Sequence, residues 1–279
     1  MSESETETSS TRTRKGRPLK GLSFNRILPN ILTLLALCAG MTAIKFGFQE
    51  RWEAATAAIA IAAVLDALDG RVARLLKGSS KFGAELDSLS DFISFGVAPG
   101  IMLYLWALQG SGRFAWILAL MLAACCALRL ARFNTLLDDP DEPAWKSNFF
   151  TGVPAPAGAG LALLPMILSF QIGDEIARST ELVSITMIAV STLLVSRVPT
   201  LSFKRLKVSR DWLMPTMVVT VVIVAGIFTV PWFSLTAILV LYLLSFPFAL
   251  QKHSKLNREW KKQKEHAAQG KPTPETPSD

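Results

Sequence analysis

The sequence predicts an all-α protein: a polytopic integral-membrane helical bundle of about eight transmembrane helices, with both termini cytoplasmic. Three observations carry that prediction. The 279-residue chain is 51% hydrophobic, with positive mean hydropathy. Its apolar residues fall into runs near the ~17–25 residues needed to cross a hydrocarbon core of ~30 Å. Its 29 Lys and Arg gather at alternate ends of those runs.

Taken in order, the runs cover roughly 29–47, 53–74, 83–108, 114–134, 153–172, 182–196, 213–230 and 232–250. The second and third count as spans despite their charges, because hydrophobic residues fill most other positions. The fourth carries Arg129 and Arg132 at one end. The fifth opens on Pro154 and Pro156, where a missing backbone donor costs least. The sixth is short and admits a slightly earlier start.

Orientation follows from the basic flanks. With the N-terminus cytoplasmic, 25 Lys and Arg fall on the cytoplasmic side, leaving only Lys45, Arg51, Arg113 and Arg178 opposite. The excess charge thus belongs to membrane flanks and implies no nucleic-acid partner. Residues 1–25 contain no apolar run and do not read as a cleaved secretory signal. That tail and the charged 252–279 tail are expected to be disordered, since neither buries enough surface to offset its ordering entropy. A single membrane domain, 26–251, lies between them, with no internal repeat. Cys38, Cys125 and Cys126 fall within spans and form no disulfide framework or metal spacing. The two histidines, His253 and His266, lie in the C-terminal tail, so the membrane body has no histidine base or zinc ligand.

Within the second and third spans lie four aspartates. Asp66 and Asp69-Gly70, with Ala73 and Arg74 beyond, are followed after eight residues by Gly83, then Asp87 and Asp91. A carboxylate near the bilayer centre costs roughly 2.5–3.5 kcal/mol on insertion scales. Positions three and four apart share a helix face, so each span presents its acids as one stripe. Folding the chain about the Arg74–Phe82 turn sets Asp66 level with Asp91, and Gly70 with Asp87. All four carboxylates then occupy a band about one helical turn deep, ~5–6 Å. They repel one another unless cations intervene. The all-oxygen ligand set suits hard divalent ions, Mg²⁺ or Mn²⁺, and two such ions form a clamp used in many phosphoryl transfers. Gly70, Ala73 and Gly83 leave the faces free of bulk, and Arg74 offers bidentate phosphate binding. One such aspartate alone would equally fit a proton relay, and the small residues would fit helix packing. Arg129 and Arg132, three apart with Asn134 nearby, suit an acceptor's carboxylate or a phosphate, or serve as positive-inside anchors. A cation- or proton-coupled transporter would also use buried acids. The almost wholly apolar 53–63 segment argues against a path through the membrane.

The pattern D-x2-D-G-x2-A-R-x8-G-x3-D-x3-D resembles that of the CDP-alcohol phosphotransferase family, without a departure. Pro29-Asn30-Ile31-Leu32-Thr33 looks like the opening of the family's first span. Asp91 to Gly100, Leu128 to Asn134, Phe150 to Ala157 and Ser196 to Thr200 resemble its phosphatidylserine synthase branch. The resemblance implies a six-helix core plus two further spans, a homodimer, and transfer of a phosphatidyl group from CDP-diacylglycerol to L-serine with release of CMP. Choline, glycerol 3-phosphate and inositol phosphate remain alternative acceptors. It further implies two Mg²⁺ or Mn²⁺ ions on Asp66, Asp69, Asp87 and Asp91, with Asp91 also the general base. Asn30, Gly70, Ala73, Arg74 and Gly83 lie near CDP-diacylglycerol in this reading, and Arg129, Arg132 and Asn134 near the acceptor. The expected setting is the inner (cytoplasmic) membrane, with the site near its cytoplasmic face.

Overall fold

A computed structural model describes residues 24–78, 80–137, 149–196, 199–201 and 213–246. The expectation of disordered tails therefore lies outside the described residues.

Helix α1 (Phe24–Phe48) and helix α2 (Trp52–Leu75) form the first hairpin. Their contact is built from small side chains: Ala36, Ala43, Ala55, Ala58 and Ala62 are all buried. Where lipid replaces water outside, small residues let backbones approach closely and gain dispersion contact. Lys77 takes a left-handed φ of 49° just after α2, and the Gly78 amide donates to the Ala73 carbonyl at 2.9 Å, closing the helix. Ser80 then caps α3 (Lys81–Asp91), its Oγ accepting from the Gly83 amide at 3.0 Å.

The chain continues from α3 without a break. A π-helical stretch (Phe92–Val97), α4 (Ala98–Leu103) and a second π-helical stretch (Tyr104–Leu108) complete a 28-residue span, Lys81–Leu108. Pro99 explains part of the irregularity: it has no amide proton for the carbonyl four residues earlier. Two close approaches anchor this span. An added Cβ on Gly40 of α1 would lie 2.8 Å from the Ser94 Cα, and one on Gly96 would lie 2.9 Å from the Cys126 Cβ. Gly40→Ala is expected to cost about 1–3 kcal/mol, because the obstruction is backbone and cannot swing aside. Thermal denaturation in detergent checks this.

Helix α5 (Arg113–Leu137) crosses next. Helices α6 (Ala155–Ala162) and α7 (Leu164–Ile172) form one bent unit with a 42° break, where Pro165 interrupts the hydrogen-bond ladder. The short α8 (Asp174–Ala177) leads into α9 (Thr180–Val195), and α10 (Leu213–Thr229) and α11 (Pro231–Leu244) follow. Two three-residue strands, β1 (Phe149–Thr151) and β2 (Pro199–Leu201), pair antiparallel, with Phe150 opposite Thr200. Gly152, at φ 82°, turns the chain from β1 toward α6 against the Ser196 carbonyl. The main core lies among the Lys81–Leu108 span, α5, the α6–α7 unit and α9, around Phe95, Met102, Leu122, Met166, Met187 and Leu194.

Within the described residues each predicted run corresponds to helix, and the sixth does start earlier, at Thr180; the end of the eighth run, 247–250, lies outside them. Among the described residues, α1, Lys81–Leu108 and α5 are long and apolar enough to cross a membrane, with the bent α6–α7 pair a fourth. Helix α2 has the length but carries Glu53, Asp66, Asp69, Arg71 and Arg74. Helices α9, α10 and α11 are apolar but shorter, at 16, 17 and 14 residues. Large side chains such as Leu75 and Phe228 stand outward on the surface, as a membrane helical protein requires.

Candidate active site

The α2–α3 hairpin assembles the acids. Carboxylate oxygens of Asp66 and Asp69 from α2 and Asp87 from α3 lie within 4.8 Å of one another. Asp91, one turn beyond Asp87, is the close electrostatic neighbour of Asp66, as the pairing of levels across the hairpin expects. Asp69 is the least solvent-exposed, at 4%, while the other three are half-buried. Asp69 is also held from α1: the Thr33 hydroxyl donates to its Oδ2 at 2.6 Å.

This donor set is all carboxylate oxygen and strongly anionic. It fits a hard divalent cation, whose ligands are typically oxygen, better than a soft metal. Arg129 of α5 is a buried cation that acts on both Asp66 and Asp91. Its Nε is buried and has no hydrogen-bond partner among the described residues. Cys126 and Tyr242, the latter on α11, are its other close electrostatic neighbours.

The remaining predicted residues divide into two groups. Gly70 lies beneath Arg74, whose Nη1 would be 3.6 Å from an added Cβ. Arg74 itself is exposed, and no carboxylate pairs with it among the described residues. Asn30 faces Gly83 closely enough that a Cβ there would lie 3.0 Å from Asn30 Oδ1. Ala73 sits between Gly70 and the helix end, where its carbonyl receives the Gly78 amide. Arg132 is different: its Nη1 donates to the Val195 carbonyl at 3.3 Å, in the last turn of α9. A cation at a helix C-terminus complements the exposed carbonyls. Asn134 donates to Ser88 Oγ at 2.9 Å and so ties α5 to α3 beside Asp87. Of the three proposed acceptor contacts, only Arg129 joins the acid cluster directly.

Residues 26–222 match the family model described as CDP-alcohol phosphatidyltransferase. The chain belongs to the CDP-alcohol phosphatidyltransferase family. Similarity extends beyond that stretch. The chain is 38% identical over 237 residues to a CDP-diacylglycerol–serine O-phosphatidyltransferase of Mycobacterium bovis, covering 85% of this chain and 82% of the relative. It is 39% identical over 235 residues to the Mycobacterium leprae protein of the same name, covering 84% and 76%. With the Helicobacter pylori protein of that name, identity is 30% over 218 residues, covering 78% and 88%. The resemblance drawn from the aspartate pattern is thus borne out. All four aspartates and Arg129 fall inside the family-matched stretch, whereas α11 and Tyr242 lie beyond it.

Sequence reasoning gave no site role to Thr33, Ser88, Ser90 or Tyr242. For Thr33 a signal existed: it stands one helical turn after Asn30 on the same face of a mostly apolar helix. Tyr242 offered none, because its place beside Arg129 depends on how α11 packs.

Proposed function

We propose that this family member transfers the phosphatidyl group of CDP-diacylglycerol to L-serine, forming phosphatidylserine and CMP. The observation that carries the reading is the meeting of Asp66, Asp69 and Asp87 within 4.8 Å, with Asp91 beside Asp66. The printed names of the long, similar relatives supply the donor and acceptor.

Asp66, Asp69, Asp87 and Asp91 would hold two divalent ions, Mg²⁺ or Mn²⁺, which when bound supply neutralisation of the diphosphate and of charge on departing CMP. The protein's own groups do the rest. Arg74 braces the phosphates, and Asn30, Gly70, Ala73 and Gly83 leave room for the CDP moiety beside the backbone. Asp91 accepts the hydroxyl proton of serine as the serine oxygen bonds to the lipid-side phosphorus. The bond from that phosphorus to the bridging oxygen breaks, and CMP leaves with the oxygen. With no histidine in the membrane body, a carboxylate is the simplest base.

Arg129 anchors the acceptor's carboxylate, because its buried Nε is an unused donor next to the proposed base. Arg132 and Asn134 then support the site through α9 and α3. Arg129→Gln is expected to raise the KM for serine about 10–100-fold, the worth of a charged hydrogen bond at ~1.5–3 kcal/mol, with little change in the KM for CDP-diacylglycerol. A lower kcat at unchanged serine KM would place Arg129 in service of the acids instead.

The basic bias supports a further reading: an inner-membrane domain over 26–251, eight spans, both termini cytoplasmic, and the cluster near the cytoplasmic face. The water-soluble acceptor then enters from the cytoplasm. A homodimer is proposed on family resemblance. Reporter fusions at both ends and cross-linking in membranes test these points. The reaction is tested by supplying purified protein with CDP-diacylglycerol and labelled serine, choline, glycerol 3-phosphate or inositol phosphate in turn. Phosphatidylserine and CMP in equal amounts are expected from serine; turnover with another acceptor alone would overturn the assignment.

A further inference from the structure

We infer that Thr33 of α1 is a positioning residue for the acid cluster, fixing the Asp69 carboxylate and the spacing between the two arms that carry the acids. The inference rests on the metal-binding reading of that cluster.

Thr33 is 4% exposed and has one hydroxyl proton. Two acceptors are within reach: the Pro29 carbonyl at 3.1 Å and Asp69 Oδ2 at 2.6 Å. The shorter contact, to a carboxylate, is the stronger because the acceptor carries charge. Asp69 is the acid with least access to water, so this neutral donor replaces a solvent contact that burial removes. Engaging Oδ2 also sets the plane of the carboxylate before any cation arrives.

The backbone of the same residue holds the other arm. Ser90 Oγ donates to the Thr33 carbonyl at 3.0 Å, from the position just before Asp91. One turn further along, Ser94 Oγ donates to the Ala36 carbonyl at 3.3 Å, continuing the seam. A single residue of α1 therefore grips α2 through its side chain and α3 through its carbonyl. Helix α1 supplies no acid, yet it determines how far Asp69 stands from Asp91. Groups that orient metal ligands typically change metal affinity or activity 10–100-fold when removed.

Mn²⁺ binding to full-length protein in nanodiscs, read by electron paramagnetic resonance, tests this with wild type, Thr33→Val and Thr33→Ser. Valine keeps the shape and loses the hydroxyl, whereas serine keeps the hydroxyl and loses a methyl. Thr33→Val is expected to weaken Mn²⁺ binding at least about 10-fold and to raise the Mg²⁺ concentration for half-maximal activity in parallel. Thr33→Ser should stay within about 3-fold of wild type, even if its melting temperature falls. Wild-type affinity in Thr33→Val, or equal losses in both variants, would overturn the positioning role. Should Thr33→Val not fold, Thr33→Ser decides alone, since weakened binding there would mean that packing and not the hydroxyl matters. Absence of Mn²⁺ binding by wild type would instead refute the metal reading itself.

Discussion

Asp91→Asn removes phosphatidyl transfer while leaving CDP-diacylglycerol bound. The substitution keeps size and hydrogen-bonding capacity but takes away the proton acceptor, so kcat should fall by at least about 10²–10⁴-fold, the usual worth of a positioned base. Binding of CDP-diacylglycerol, followed by ligand-dependent thermal shift, should remain close to wild type because Asp66, Asp69 and Asp87 still form their group. Near-normal turnover would remove Asp91 as the base. Loss of lipid-nucleotide binding along with turnover would make it chiefly a metal ligand.

Arg74→Lys is expected to be nearly as damaging as Arg74→Ala. The guanidinium lies over Gly70, exposed and without an acidic partner among the described residues, as a group waiting for an anion would be. Two parallel charge-assisted hydrogen bonds to phosphate at ~1.5–3 kcal/mol each correspond to a loss of about 100-fold or more in kcat/KM. Lysine retains the charge but not the planar fork, and so recovers little. Full activity in Arg74→Lys would reduce the residue to a point charge.

Much of this site was legible because its geometry is local. Steps of three and four along two helices, joined by a short turn, leave little freedom in where the four acids meet. The Asp66–Asp91 pairing is a consequence of that arithmetic. Contacts between distant helices were not legible. Thr33 and Asp69 are 36 residues apart, and nothing periodic links them. Arg129 and Arg132 are nearly equivalent on a helical wheel, yet one reaches the acids and the other the end of α9. That difference depends on which neighbour packs against each face. The break between α6 and α7 had a visible cause in Pro165, whereas the β1–β2 pair joins segments nearly fifty residues apart and left no local mark.

Diffraction from crystals grown with CDP-diacylglycerol and Mn²⁺, collected at the manganese absorption edge, tests the central proposition most directly. Two anomalous peaks should appear among Asp66, Asp69, Asp87 and Asp91, both beside the diphosphate, and EDTA should abolish both the peaks and turnover. A protein that turns over in EDTA, with no manganese signal among those four side chains, would contradict the account.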